Sequence, residues 1–256
     1  MGSLSRGCDD VAVPVSPTPT RRRTAVAVLA SAVALTVSGC GSNDSASPLP
    51  SFGPTVRPPA TTGAPGAVLD SITLRMDLLD VPQLPNGYAA LNDPPPGSAT
   101  GAGAKTDPAQ CAKVLAPISD QVPGSVSQAI AQFSGPDFDS IDIDAAAYAN
   151  GGAAQAFSKV QSLLRECTDY SGRDTDGESV KFRVGGLDQP NAGDASTSFR
   201  VNTTSQGLTL YSVVSVTLVG NTVVQLSLSS AKEPDPQQLS TLTTTQVRKL
   251  SGAAGP

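Results

Sequence analysis

The apolar positions change period along the chain, and those changes divide it into elements. Leu69-Asp70-Ser71-Ile72-Thr73-Leu74 and the run 78–88, punctuated by prolines and Asn86-Gly87, read as strand, turn, strand. A Pro, Gly and Ala loop over 92–106 leads to Asp107-Pro108, a predicted N-cap and first-turn proline for a short helix through Leu115. Residues 125–133 and 138–148 read as strands, the second alternating Phe138, Ser140, Asp142 and Asp144 against Asp139, Ile141 and Ile143. From Asn150 to Glu166, Ala153, Phe157, Val160 and Leu164 recur at helical spacing. A polar hairpin loop rich in Asp and Gly follows. Val180–Val184, Ser196–Thr204, Leu208–Val219 and Thr222–Ser229 then alternate as strands, joined in part by the two-residue turns Gln206-Gly207 and Gly220-Asn221. Asp235-Pro236 caps a terminal helix with Leu239, Leu242, Val247 and Leu250 on one face. The pattern predicts an α+β fold, a twisted antiparallel sheet of about five to six strands flanked by two main helices and a short one.

The N-terminal part has a different grammar. Arg21-Arg22-Arg23 precede an uncharged run from Thr24 to Gly39 that ends in Val37-Ser38-Gly39-Cys40. A positive region, a short apolar stretch and small residues before a cysteine resemble a bacterial lipoprotein signal, which implies that residues 1–39 are removed and the Cys40 thiol carries diacylglycerol. A transmembrane anchor is the competing reading, but the run falls short of the roughly 20 apolar residues that span a bilayer. The arginine pair also suggests twin-arginine export. Residues 1–20 carry Cys8, Asp9 and Asp10, foreign to a signal peptide, so a later start at a Val or Leu codon is a competing reading. Residues 40–67 are rich in Pro, Gly, Ser and Thr and read as a lipid-anchored flexible tether. The folded domain is expected over 68–251, with 252–256 as a tail.

Four cysteines are present. With Cys8 removed and Cys40 lipidated, Cys111 and Cys167 form an even pair in an exported domain and predict one disulfide. A thiolate metal site at these two lacks further soft ligands.

Charge and composition narrow the chemistry. Removing residues 1–39 takes away Arg6, Arg21, Arg22 and Arg23 with only Asp9 and Asp10, so the formal net charge moves from -5 to -7. Such a chain, its Lys and Arg scattered singly, is a poor nucleic-acid binder. The absence of histidine excludes Ser-His-Asp and Cys-His catalysis and His-ligated zinc. Two acidic clusters, Asp137, Asp139, Asp142, Asp144 and Asp174, Asp176, Glu178, fit no calcium loop and read as a solvated strand face and a turn. No serine sits in a Gly-x-Ser-x-Gly elbow, and Gly151-Gly152 and Gly185-Gly186 lack phosphate-loop context. No catalytic residue, cofactor or metal is expected.

The order of motifs resembles the PknH-like extracellular sensor domain of a mycobacterial serine/threonine kinase and related actinobacterial lipoproteins. The carrying residues are Leu84 to Tyr88, Cys111, the Tyr148, Ala153, Ala154, Ala156, Phe157 run ending at Cys167, the Val184-Gly185-Gly186-Leu187 turn and Val219-Gly220-Asn221-Thr222-Val223-Val224. The resemblance spans about 68–251. It implies a sheet flanked by helices, a cleft for an unidentified ligand and disulfides bracing the helices. This chain departs in having no second cysteine pair within 208–229 and no kinase domain. Two functions follow as expectations: a lipid-anchored sensor-like domain on the outer face of the membrane that binds a small or lipidic ligand, or an adaptor that engages an envelope protein without one.

Overall fold

The computed structural model describes residues 48–59, 68–92 and 104–252. The expectations about Cys8, the signal segment and Cys40 lie outside the described residues. One antiparallel sheet of nine strands organises the domain: β1 (Ala89–Ala90), β2 (Lys105–Asp107), β3 (Ser127–Ser134), β4 (Ser140–Ala147), β5 (Asp169–Arg173), β6 (Ser179–Gly186), β7 (Ala195–Ser205), β8 (Leu208–Val219) and β9 (Thr222–Ser230). Their spatial order is β1-β3-β4-β9-β8-β7-β6-β5-β2. The α+β class holds, and the strand count exceeds the expected five to six. The extra strands are short or polar: β1 and β2 have two and three residues, and β5 lies within the expected polar loop. Short edges, one carrying Lys105, limit pairing with other chains.

Four α-helices are described: α1 (Ser71–Met76), α2 (Ile118–Gln121), α3 (Gly152–Glu166) and α4 (Pro236–Leu250). The two long ones match the expected helices closely. The opening of the domain does not match. Residues 71–76 form α1, with the Asp70 side chain accepting from the N–H groups of Ile72 and Thr73, and a 3-10 turn occupies Val81–Gln83 under a capping box from Asp80. These local side-chain bonds to the backbone outweigh the strand-like alternation of Ile72 and Leu74. The helix expected after Asp107-Pro108 is a 3-10 turn over Ala109–Lys113, whose cap position is Pro108, while Asp107 ends β2.

Each face of the sheet is half covered. On one face, Phe157, Val160 and Leu164 of α3 cover Phe199, Val201, Val214, Val216 and Val223. On the other, Leu239 and Leu242 of α4, with Leu74, Leu78 and Leu79, cover Ile141, Ile143, Val213, Leu226 and Leu228. Polar pairs fix α4 within that core: Ser215 Oγ and Thr243 Oγ1 lie 2.6 Å apart, and Gln246 Oε1 accepts from the Leu79 N–H at 2.9 Å. The disulfide Cys111–Cys167 joins the 3-10 turn to the end of α3, with a Cα–Cα distance of 5.5 Å. The hairpin turns follow expectation. Gln206 and Gly207 both have positive φ, and Gly220 has φ +57°, the geometries that match strand twist.

Residues 48–59, within the expected flexible tether, are instead an ordered arm. The Gly186 N–H donates to Pro50 O at 2.7 Å, Gln161 holds Val56 through its N–H and C=O at 2.8 Å each, and Arg165 Nη2 donates to Gly53 O at 2.6 Å. Phe52 packs under the Arg165 guanidinium, 5.7 Å from ring centroid to Cζ. The tether composition lacks many apolar residues, but two, Phe52 and Val56, reach the α3 core, and Gln161 supplies a paired partner for the backbone. Gly185 and Gly186 are required here: a Cβ on Gly186 would lie 2.6 Å from Ser51 O.

Candidate functional site

The quadrant of the α3-side face left open lies over β3, β4 and β9. Sheet register places alternate polar residues there, with Gln132 opposite Asp142, Asp142 opposite Ser227, and Asp144 opposite Gln225. The segment Leu115–Ile118, entering α2, forms a wall. The result is a groove of about 250 Å³ with Ile130, Gln132, Asp142, Asp144, Gln225 and Ser227 among its lining residues.

Its polar groups are ordered by one another. The Ile118 N–H donates to Asp144 Oδ1 at 2.6 Å and Gln225 Nε2 to Asp144 Oδ2 at 3.1 Å. Gln225 Oε1 accepts from Gln121 Nε2 at 2.9 Å, which also donates to Ala116 O at 2.7 Å. Asp142 accepts from Gln132 Nε2 at 2.9 Å and from Ser140 Oγ at 3.0 Å. Gln121 Oε1 is buried with no partner among the described residues. The Tyr148 hydroxyl donates to Val122 O at 2.7 Å and so pins the end of α2 over β4.

The electrostatics single out Asp144. Burial pushes its carboxyl up to about 7, against the two hydrogen bonds that favour the charged form, and the nearby Asp142 and Asp120 charges add to the rise. A carboxyl that exchanges its proton near neutrality, with part of its surface reaching a groove, is the pattern of a binding or switching position. Tyr148 is raised to about 12, by burial and by Asp144.

The first acidic cluster is therefore not uniformly a solvated strand face. Ile118 and Gln225 enclose Asp144, whereas Asp137 stands in an exposed turn at φ +56°. The second cluster is a turn, in which Asp174 Oδ1 accepts from the N–H groups of Asp176 and Glu178. Cys111 and Cys167 are brought together, far from the groove in role: both are buried and serve the core. The alternation of β4 concealed the site because polar residues at every second position read as solvent-facing. A legible signal was Gln225, a single amide in the apolar run Val223-Val224-Gln225-Leu226, since a buried amide needs partners.

A larger cavity, about 480 Å³, lies between the start of α3, the β8–β9 turn and the end of α4. Its lining offers little unspent chemistry: Asp194 Oδ2 already accepts from the Gly220 N–H at 2.7 Å.

No protein-family model matches the chain, and no curated protein is similar to it in sequence. The architecture is similar to that of the extracellular domain of PknH from Mycobacterium tuberculosis, with a TM-score of 0.57 at 12% identity, over 73% of this chain and 98% of that one. At that identity the likeness is one of fold: a half-covered antiparallel sheet of the PknH extracellular-domain type. The Mycobacterium smegmatis ortholog of Rv0999, an uncharacterized protein, aligns over 64% of this chain and 85% of its own at 16% identity, with a TM-score of 0.34.

Proposed function

We propose that this protein is a lipid-anchored envelope lipoprotein whose extracytoplasmic domain binds a small polar ligand without transforming it. The observation that carries this reading is the groove over β3, β4 and β9, where Asp142, Asp144, Gln132, Gln225 and Ser227 converge on about 250 Å³. Mixed acceptors and amide donors suit a hydroxylated or cationic solute, and a lining in which six of ten residues are polar fits a lipid chain poorly. The chain supplies no histidine for proton transfer, in keeping with a binding role. The extracytoplasmic placement and the anchor at Cys40 rest on the lipoprotein-like signal; the shared fold with an extracellular domain is in keeping with them. Among the described residues no helix is long and apolar enough to cross a membrane. Native mass spectrometry of the gently purified mature protein tests the binding role. Reproducible excess mass that disappears in an Asp142→Ala, Ser227→Leu variant supports it, and excess mass unaffected by that change sends the ligand elsewhere.

A specific observation also favours the adaptor function. Phe138 is 96% exposed, at φ +66° beside Asp137 at +56°, so a strained turn holds an aromatic ring in solvent. A partner surface would repay both features. A protein recovered by crosslinking from Phe138 in wild type and lost in Phe138→Ser would establish that contact.

A further inference from the structure

The quadrant left open on the opposite face of the sheet has a different character. α4 stops over β8 and β9, and the same face of β7, β6, β5 and β2 presents polar and charged side chains. Register groups the cations. Lys105 of β2 is paired with Arg173 of β5, while Lys181 and Arg183 of β6 and Arg200 of β7 follow on the same face. On the strands of this face the carboxylates are Asp107 and Asp169, the latter opposite Arg183; Glu233 pairs with Arg200, and Asp174, Asp176 and Glu178 stand beyond Arg173 in the β5–β6 turn. Within the strands of this face cations therefore outnumber acids, five to two, in a mature chain whose overall balance is strongly acidic. Lys105, Arg173 and Lys181 are exposed.

The arm leaves the domain on this side. Gly185 lies opposite Arg200, and a Cβ there would meet Leu49 Cβ at 2.5 Å, so Leu49 sits over the basic face. Gly186, its neighbour, points to the α3 side, where Phe52 continues. The chain thus crosses the sheet edge between Leu49 and Phe52. Leu49 lies nine positions after Cys40, a chain length of at most about 30 Å.

We infer that the basic face of β2, β5, β6 and β7 lies against the anionic phospholipid headgroups of the membrane that anchors the chain, leaving the polar groove turned outward. This rests on the proposed anchor at Cys40 and adds the orientation of the domain. Two independent features agree on it: the sign of the charge and the side from which the short lead departs. A lead of this length lets the face come within a Debye length of the surface, about 8–10 Å, where cations are attracted to anionic lipid.

The test supplies the anchor chemically, so that its failure is separable from failure of the lipidation reading, which mass spectrometry of the native protein decides alone. The mature chain, from Cys40, is coupled through that thiol to a maleimide lipid in vesicles of phosphatidylcholine or of phosphatidylcholine with phosphatidylglycerol. Acetylation of lysines by a water-soluble ester is then followed by mass spectrometry. On anionic vesicles Lys105 and Lys181 are expected to react about fivefold more slowly than on neutral ones, the factor matching the attraction of one cation near such a surface. Lys113 and Lys159, on the α3 side, keep their rates. Raised salt or the Lys105→Gln, Arg173→Gln, Lys181→Gln variant removes the difference from neutral vesicles at the remaining reporter, the deuterium uptake of β5 and β6. Equal rates on the two vesicle types, or protection of Lys113 and Lys159 instead, overturns the inference and leaves the face for a soluble partner.

Discussion

Replacing Asp144 by Asn isolates the free energy stored at the groove. The carboxyl titrates near 3.8 when unfolded and is raised to about 7 in the folded domain. Between those values this group binds more protons in the folded state than in the unfolded one, so its contribution to stability is full below about pH 4 and is lost as pH rises through 7. The slope is up to about 1.4 kcal/mol per pH unit, and the accumulated loss about 4 kcal/mol as an upper figure. Asn does not titrate. At pH 4 the variant is expected to be less stable by roughly 1 kcal/mol, because the Ile118 N–H and Gln225 Nε2 both donate to this side chain and an amide accepts through one oxygen only. With increasing pH the difference should shrink, cross zero and reverse, since the variant no longer carries a desolvated charge. Urea denaturation of both proteins at unit steps from pH 4 to pH 8, at constant salt, gives the difference curve. Groups common to both proteins, such as Asp70 with its lowered carboxyl, cancel from it. A difference that stays level across this range would show that Asp144 ionises as an ordinary surface carboxylate, and the argument from its enclosure would fail.

Other perturbations probe the scaffold. Cys111→Ser with Cys167→Ser opens a loop with a sequence separation of 56 and is expected to cost roughly 4 kcal/mol in the chain-entropy account, read from denaturation midpoints; a loss below about 1 kcal/mol contradicts that role. Gly186→Val places a side chain into the Ser51 carbonyl and should release the arm, so that limited proteolysis cuts within 48–59 in the variant well before it does in wild type. Gln161→Ala removes both bonds to Val56 at a cost of about 1–3 kcal/mol, with the same new cleavage; an arm equally resistant in both variants is not held as described. Cys40→Ala should abolish incorporation of a labelled lipid precursor and shift the protein from the membrane to the soluble fraction.

Much of the scaffold was readable because its signals are dense. Leu208–Val219 and Thr222–Ser229 combine β-branched residues with turn dipeptides, and Ala153, Phe157, Val160 and Leu164 mark a helix that needs one apolar stripe. The miscast segments are those where a side chain bonds its own backbone, as Asp70 and Asp80 do, or where a strand is too short for a period to show, as in β1 and β2. The groove was obscured for another reason. Asp142 and Asp144 occupy equivalent positions of one strand, yet only Asp144 meets the Ile118 N–H and the Gln225 amide, and those partners come from residues 26 and 81 positions away. The arm was obscured likewise, since Phe52 and Val56 look isolated until Gln161 and Arg165 are placed beside them.

The strand order has a consequence for biogenesis. β4 is flanked by β3, its sequence neighbour, and by β9, so Ile143 finds Leu226 only after most of the domain has been made. A chain threaded N-terminus first through a translocation channel would therefore emerge with the β3–β4 hairpin lacking its second partner, its Ile141, Ile143 side met by Leu74, Leu78 and Leu79 but not yet by α4. Cys111 and Cys167 are released before β9 and can be oxidised while the sheet is still incomplete. Pairing of β4 must await β9, in the last quarter of the sequence, and a truncation that removes β9 and α4 is expected to leave an aggregation-prone chain rather than a smaller folded domain.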